Sequence, residues 1–255
     1  MVKVWAEGKA GVERIRKKLV EYGFDLCENE PKIVVVWGGD GSILRSARKY
    51  PKSSLLGLRE KSVGHLAEID GTCLDYAVER LAEKEYRLEA ASRVELVYND
   101  IRLHGLNEVY FSREYEYATR FRVFVDGDSL YEGVLFGDGC LAASPCGSTA
   151  HSWTAGRQMI LQPHEKAIIF TPLSSGYLNK RILVNGTSVA KPVEQVKVSD
   201  DKAVVVEILR GGRNKFATDG LDELTMVIDL EDGDEVLFRK AKETTQFIRL
   251  DVKQK

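Results

Sequence analysis

Val34-Val35-Val36-Trp37-Gly38-Gly39-Asp40-Gly41-Ser42 joins an apolar strand to a glycine-rich turn carrying a single acid. Ile33 to Trp37 are continuously apolar and largely β-branched, which suits a central parallel strand covered on both faces. Glycines at 38, 39 and 41 permit φ > 0 and remove the Cβ atoms that would keep phosphate oxygens away from backbone N–H groups. Ser42 is expected to cap a helix over Ile43–Lys49, whose positive end would face the same anion. Asp40 is the odd member, because a carboxylate beside phosphates is unfavourable unless it binds metal or accepts a proton. An ordinary polar turn would use the same residue types. The run is not a P-loop, which needs a Lys after its last Gly, and Leu44 stands where a GxGxxG fingerprint needs glycine.

Working outward, strands alternate with helices on both sides of this turn. Lys3 to Ala6 reads as a strand, and Val12, Ile15, Leu19 and Val20 form an apolar stripe on a helix. Leu55 to Leu58 reads as another strand, and Leu74, Ala77, Val78 and Leu81 share one face of a further helix. This pattern predicts a parallel, Rossmann-like α/β domain over residues 1–88. Beyond it the period becomes two: Val94, Leu96 and Tyr98 alternate, as do Phe121, Val123 and Val125 before the turn Asp126-Gly127-Asp128. Further strands are expected at Ala167–Thr171, Val193–Val198, Ala203–Leu209 and Leu224–Asp229, with one helix near Ser148–Arg157. Residues 89–231 therefore read as a mostly antiparallel, sandwich-like β domain. Residues 232–255, beginning at Asp232-Gly233-Asp234, read as a C-terminal extension packing back on the first domain.

Composition narrows the function classes. The chain has 255 residues, 44% of them hydrophobic, enough for two modest domains. Lys+Arg 37 against Asp+Glu 39 leaves a net charge of −2, so no global field favours nucleic acid or an anionic membrane. The apolar runs fall short of the ~18 residues of a membrane span, and the start of the chain lacks a signal-peptide core. A cytoplasmic protein is the expectation. Cys27, Cys73, Cys140 and Cys146 show no metal-binding or redox spacing and are expected to be buried thiols. Asn185-Gly186-Thr187 matches a glycosylation sequon but reads more simply as a turn.

Two more constellations carry chemistry. Gly137-Asp138-Gly139-Cys140-Leu141-Ala142-Ala143-Ser144-Pro145-Cys146-Gly147-Ser148-Thr149-Ala150 offers a strand, a Pro-Cys-Gly turn, and Ser148 and Thr149 at the mouth of a helix. Backbone donors, hydroxyls and small residues there give room for a nucleotide, although a plain turn capped by Ser148 would use the same residues. Asn107 and Glu108, framed by Leu106 and Val109, offer a donor and acceptors for sugar hydroxyls, or simply end an exposed strand.

Taken together, these segments resemble the NAD kinase family. The resemblance rests on Gly38-Gly39-Asp40-Gly41, Asn107-Glu108, Asp138-Gly139 and Ser144 to Ala150, in the family's order and approximate spacing. Weaker matches are Gly64-His65-Leu66, where the family usually has Gly-Phe-Leu, the segment Pro172 to Arg181, and Asp219-Gly220. Two departures stand out. His151 replaces the aromatic that follows Thr149-Ala150, and Leu221 stands where Gln is common.

The resemblance implies transfer of the γ-phosphoryl group of ATP to the 2′-hydroxyl of the adenosine ribose of NAD, giving NADP. It implies Asp40 as the proton acceptor, with Gly38, Gly39 and Gly41 around the donor phosphates. Arg45 would neutralise phosphoryl oxygens, or else be a solvated helix charge. Asn107, Glu108, Asp138, Thr149, Ala150 and Ser152 would line the NAD pocket, with His151 in place of the aromatic; His151 could equally just bond the backbone. Mg²⁺ is expected to enter with ATP and needs no protein cage; no metal-binding motif is visible. Family members often form homodimers or homotetramers through the β domain. Two rivals are a lipid or diacylglycerol-type kinase sharing the GGDG turn, and a dinucleotide sensor without turnover. Against the first stand the Pro145 to Ala150 segment and the absence of a hydrophobic or basic membrane-facing stretch; the second has no use for a carboxylate facing phosphates.

Overall fold

The computed structural model describes residues 2–8, 11–60, 64–114, 117–156 and 158–250. Arg157 and residues 251–255, which the sequence reading includes, lie outside these. The chain divides into two units: residues up to Ala91 together with those from Thr244 onward, and Ser92–Glu243.

The first unit is α/β. Its strands are β1 (Lys3–Gly8), β2 (Asp25–Leu26), β3 (Ile33–Trp37), β4 (Ser54–Arg59) and β5 (Ile69–Asp70), and its helices α1 (Val12–Glu21), α2 (Asp40–Lys49) and α3 (Leu74–Glu83). The strands run parallel in the order β2-β1-β3-β4. β5 pairs with one end of β4 and residues 246–247 with the other, both parallel. Val34, Val35 and Val36 are all fully buried, as a central strand covered on both faces requires. Ile15 and Leu19 of α1 and Ala77, Val78 and Leu81 of α3 bury with Val35 in one core.

The second unit is a β sandwich. Its strands are β6 (Arg87–Tyr98, entering from the first unit), β7 (Ile101–Gly105), β8 (Glu108–Arg113), β9 (Thr119–Val125), β10 (Asp128–Ser129), β11 (Leu135–Gly137), β12 (Gly139–Ala143), β13 (Ala167–Leu173), β14 (Gly176–Val184), β15 (Thr187–Pro192), β16 (Val196–Ser199), β17 (Val204–Arg210), β18 (Gly212–Thr218), β19 (Met226–Leu230) and β20 (Glu235–Arg249). One antiparallel sheet runs β16-β13-β12-β8-β18-β19. The facing one runs β15-β14-β11-β9-β17 and on to the first half of β20. Phe111, Phe170 and Phe216 from the first sheet meet Phe121, Val206 and Phe238 from the second in a single core. The ring centroids of Phe170 and Phe238 lie 5.6 Å apart, edge to face, a favoured aromatic geometry.

The α/β unit followed by a mostly antiparallel β unit matches the fold class expected from the sequence, while several local expectations need correction. The second unit extends to Glu243 instead of ending at 231, because Val236–Phe238 of β20 complete the sheet beside β17. Helix α2 begins at Asp40 with Gly39 as its cap, and Ser42 lies inside its first turn, its N–H donating to the Gly39 carbonyl at 3.0 Å. The expected helix near 148–157 is a 3₁₀ turn, Cys146–Thr149, and a short helix α4, His151–Ala155, broken at Ala150 (φ −99°, ψ −129°). The strand expected at 193–198 starts only at Val196, since Val193 donates to Ser175 outside the ladder. A 3₁₀ turn at Asp222–Leu224 delays the last expected strand to Met226. Only Cys140 is a buried thiol; Cys73 is exposed and Cys27 and Cys146 are half-buried. The Asn185-Gly186 turn joins β14 to β15 with φ of 49° and 79°, the left-handed pair of a tight hairpin.

Candidate functional site

The glycine turn of the first unit leaves the carboxyl end of β3, where open parallel sheets bind ligands. Gly38 has φ +152°, and a Cβ there would lie 2.4 Å from Ser42 Oγ, so the turn closes only on glycine. Asp40 is the first residue of α2, and its carboxylate is held from outside the helix. The backbone N–H of His65 donates to Oδ2 and that of Leu66 to Oδ1, each at 3.0 Å. A Cβ on Gly64 would sit 2.3 Å from Oδ1, which explains the glycine of Gly64-His65-Leu66. Two charge-assisted bonds fix the carboxylate in one orientation and leave each oxygen further accepting capacity. Gly38, Gly39, Asp40 and Gly41 thus stand together at a helix N-terminus, a setting suited to anions. Arg45 lies one turn on, exposed, its Nη1 donating to the Gly41 carbonyl at 3.3 Å.

In the second unit, strand alternation sorts β8. Val109 and Phe111 enter the sandwich core, so Glu108, Tyr110 and Ser112 face the other way. On that outer face a cleft of about 510 Å³ is lined by Tyr110, Ser112, Asp138, His151, Thr154, Ala155, Leu173 and Ser174. It brings together the predicted residues Asp138 and His151. Asp138 pairs with Arg113, Nε to Oδ1 at 2.6 Å. The His151 ring stands edge-on to Tyr110, centroids 5.5 Å apart, and desolvation there holds its pKa below the usual histidine value. Thr149 and Ala150 are half-buried beside it in the chain, and Ser152 is fully buried with no partner for its hydroxyl among the described residues.

Asn107 and Glu108 form a second cluster, organised by a residue the sequence reading treated only as a weak match. The Asp219 carboxylate accepts the backbone N–H groups of Leu106, Asn107 and Glu108 at 2.9, 2.7 and 3.2 Å. Asp219 sits at φ +53° before Gly220. Aspartate tolerates that conformation, and the Asp-Gly pair was the local signal for it. The turn at 144–147 closes onto the same segment: the Ser144 N–H donates to the Asn107 carbonyl at 2.8 Å, and the Gly147 N–H to Ser144 Oγ at 3.3 Å. Asn107 Oδ1 and Glu108 Oε2 are buried without partners among the described residues, as acceptors awaiting a donor would be.

Burial, aided by the neighbouring Asp219 charge, pushes the Glu108 carboxyl up to about 8. Burial also raises Asp219, opposed by its three N–H donors and by Arg93. The proton of the pair therefore resides on Glu108, which has no such donors. The sign follows from linkage. The unfolded carboxyl ionises near 4.5 while the folded one keeps its proton to about 8, so this group makes stability fall as pH rises between those values. Glu108→Gln is expected to remove that slope. Its unfolding midpoint should gain on the unsubstituted protein from pH 5 to 8, by no more than about 5 kcal/mol in stability. A constant difference across that range would show Glu108 to be ionised at neutral pH.

Among the described residues, no three His, Cys, Asp or Glu side chains converge to hold a metal ion. No helix there is long and apolar enough to cross a membrane.

Comparison with known proteins shows the family. Residues 106–250 match a family model described as the ATP-NAD kinase C-terminal domain. NAD kinase of Methanothermobacter thermautotrophicus is 31% identical over 237 residues, covering 91% of this chain and 77% of its own. NAD kinase of Carboxydothermus hydrogenoformans is 31% identical over 227 residues, covering 86% and 74%. Among solved structures, an NAD kinase from Archaeoglobus fulgidus in complex with ATP superposes with a TM-score of 0.76 at 20% identity, over 98% of this chain and 94% of that one. Yeast NADH kinase complexed with NADH gives 0.74 at 18%, over 98% and 83%. These two structural likenesses speak for the fold.

Proposed function

The chain belongs to the NAD kinase family, and from that premise we propose that it transfers the γ-phosphoryl group of ATP to the 2′-hydroxyl of the adenosine ribose of NAD, giving NADP. The observation that carries the assignment of Asp40 as proton acceptor is its grip by two backbone N–H groups at the mouth of α2. Phosphoryl transfer asks the protein mainly for positioning and charge compensation, and a carboxylate locked in orientation meets the first demand. The N–H groups of Gly39 and Gly41 and the positive end of α2 meet the second, the Gly38 N–H being taken by the Leu58 carbonyl at 3.0 Å. Arg45 is available to the transferring group from the helix surface.

The second unit supplies dinucleotide recognition in this reading. Asn107 and a protonated Glu108 present an amide and a carboxylic acid, able to donate to and accept from ribose hydroxyls. Asp138, Thr149, Ala150 and Ser152 line the remainder, and His151 offers its ring face where relatives carry an aromatic. Mg²⁺ belongs to the ATP substrate here. The donor set does not suit a resident ion, since Asp40 is the turn's only acid and, among the described residues, no three His, Cys, Asp or Glu side chains converge. Assembly as a homodimer or homotetramer through the β unit finds support in the exposed Leu183 and Val184 near the β14–β15 turn.

The decisive assay supplies ATP and NAD and reads the product with an NADP-specific dehydrogenase. Turnover is expected. Phosphorylation of a lipid alcohol without NADP would favour a lipid kinase, and nucleotide binding without turnover would favour a sensor. The match over residues 106–250 already weighs against the lipid kinase. For His151→Tyr the expectation is retained kcat with an altered KM for NAD, because the change affects ground-state contact and not developing charge. A large fall in kcat at constant KM would assign the imidazole to the chemistry.

A further inference from the structure

The outer face of the second sheet carries a feature that phosphoryl transfer leaves unexplained. In β9, Phe121 and Val123 point into the sandwich core, so Arg120 points out. Its register partner on one side is Arg210 of β17, and on the other Phe136 of β11. Two like charges directly opposite across a ladder destabilise a sheet. A third cation, Arg181 of β14, joins them around a pocket of about 200 Å³ whose remaining wall is Ala118, Phe136, Leu178 and Ala190. None of the three guanidinium groups has a carboxylate partner among the described residues. Arg210 is held in place by one bond, Nη2 to the Ala118 carbonyl at 2.7 Å, and its Nε is buried without an acceptor.

We propose that this pocket is a second anion site that takes the phosphate group of a phosphorylated small molecule or inorganic phosphate. Planar guanidinium forks converging from three strands suit phosphate oxygens. A bound dianion would turn the repulsion between Arg120 and Arg210 into shared attraction. The apolar wall formed by Phe136 and Leu178 suits a small organic body attached to the phosphate. Phe136 lies two residues before Asp138, which lines the nucleotide cleft, so occupancy of the pocket has a short covalent route to that residue.

The test uses the full chain with arginine side chains labelled for NMR, titrated separately with inorganic phosphate and phenyl phosphate. Single Arg→Gln variants assign the Nε–H signals. Saturable shifts of the Arg120 and Arg181 signals with one common Kd are expected. The double variant Arg120→Gln/Arg181→Gln should weaken that binding at least tenfold while its unfolding midpoint without ligand stays within a few degrees. Both substitutions are at outward-facing positions, so the fold is expected to survive. Tighter binding of phenyl phosphate would identify an organic monoester as the occupant, and equal binding would identify free phosphate. Unmoved arginine signals would overturn the proposal. So would a double variant that binds phosphate normally but separates an oligomer, because the arginines would then be meeting carboxylates of another copy.

Discussion

Asp40→Asn is expected to lower kcat for NADP formation by about 10²–10⁴, the usual loss when a general base is removed, with ADP and NAD affinities changed only by a small factor. The substitution is isosteric but not neutral to the fold. Asn keeps one acceptor oxygen and presents an NH₂ group to one of the two N–H donors of His65 and Leu66. That loses a hydrogen bond and leaves a donor unsatisfied, a cost of about 1–3 kcal/mol. The rate must therefore be read beside the unfolding midpoint and beside Gly64→Ala. The alanine Cβ would lie 2.3 Å from Asp40 Oδ1, disturbing the grip while leaving the acid in place. If Asp40→Asn lowers kcat no further than Gly64→Ala does, the carboxylate anchors the turn and another group takes the proton.

Gly147→Ala should produce a large loss of stability in the second unit. A Cβ there would stand 2.0 Å from the Asn107 carbonyl oxygen and 2.4 Å from its carbon. Both are backbone atoms of a segment already pinned by Asp219 and Ser144, so no flexible side chain can yield. Overpacking of this kind costs typically 1–3 kcal/mol and more where nothing relaxes. We expect about 3 kcal/mol or more, a fall in midpoint of roughly 6–12 °C for a domain of this size, together with loss of NAD binding. Gly186→Ala is the comparison. It meets no atom within 4 Å and should cost only the penalty of a left-handed alanine, about 1 kcal/mol. Equal effects from the two would show that the 144–147 turn moves away from Asn107 without difficulty.

The two substitutions also mark what was legible in the sequence. The strand, the glycine turn and its acid could be read because apolar β-branched residues, glycines and Asp40 are contiguous. Helix α2 was placed three residues late, since Ser42 looks like a cap and Gly39 becomes one only through its extended backbone. The residues that hold Asp40 could not be read, because they lie 25 and 26 positions away and use backbone N–H groups that any residue possesses. The same holds for Asp219, which acts on a segment 111 to 113 positions earlier. The break at Ala150 escaped for a related reason: alanine itself favours helix, and the neighbouring turn is set by distant backbone groups, the Asn107 carbonyl accepting the Ser144 N–H. The β unit was legible as alternation, and its outer row of arginines was invisible until register put them on one face.

Strand β20 bears on the timing of folding during synthesis. Residues 236–238 complete a sheet of the second unit and residues 246–247 extend that of the first, with Phe238 and Ile248 buried in the two separate cores. Domains made early in translation ordinarily fold before later ones emerge. Here the first unit waits for a strand made more than 150 positions after α3 ends, and on the ribosome its sheet stays open beside β4. An exposed, apolar edge of that sort invites pairing with other chains. The glycine turn is thus synthesised about 200 positions before residues 246–247, yet the sheet supporting it is completed only once they emerge.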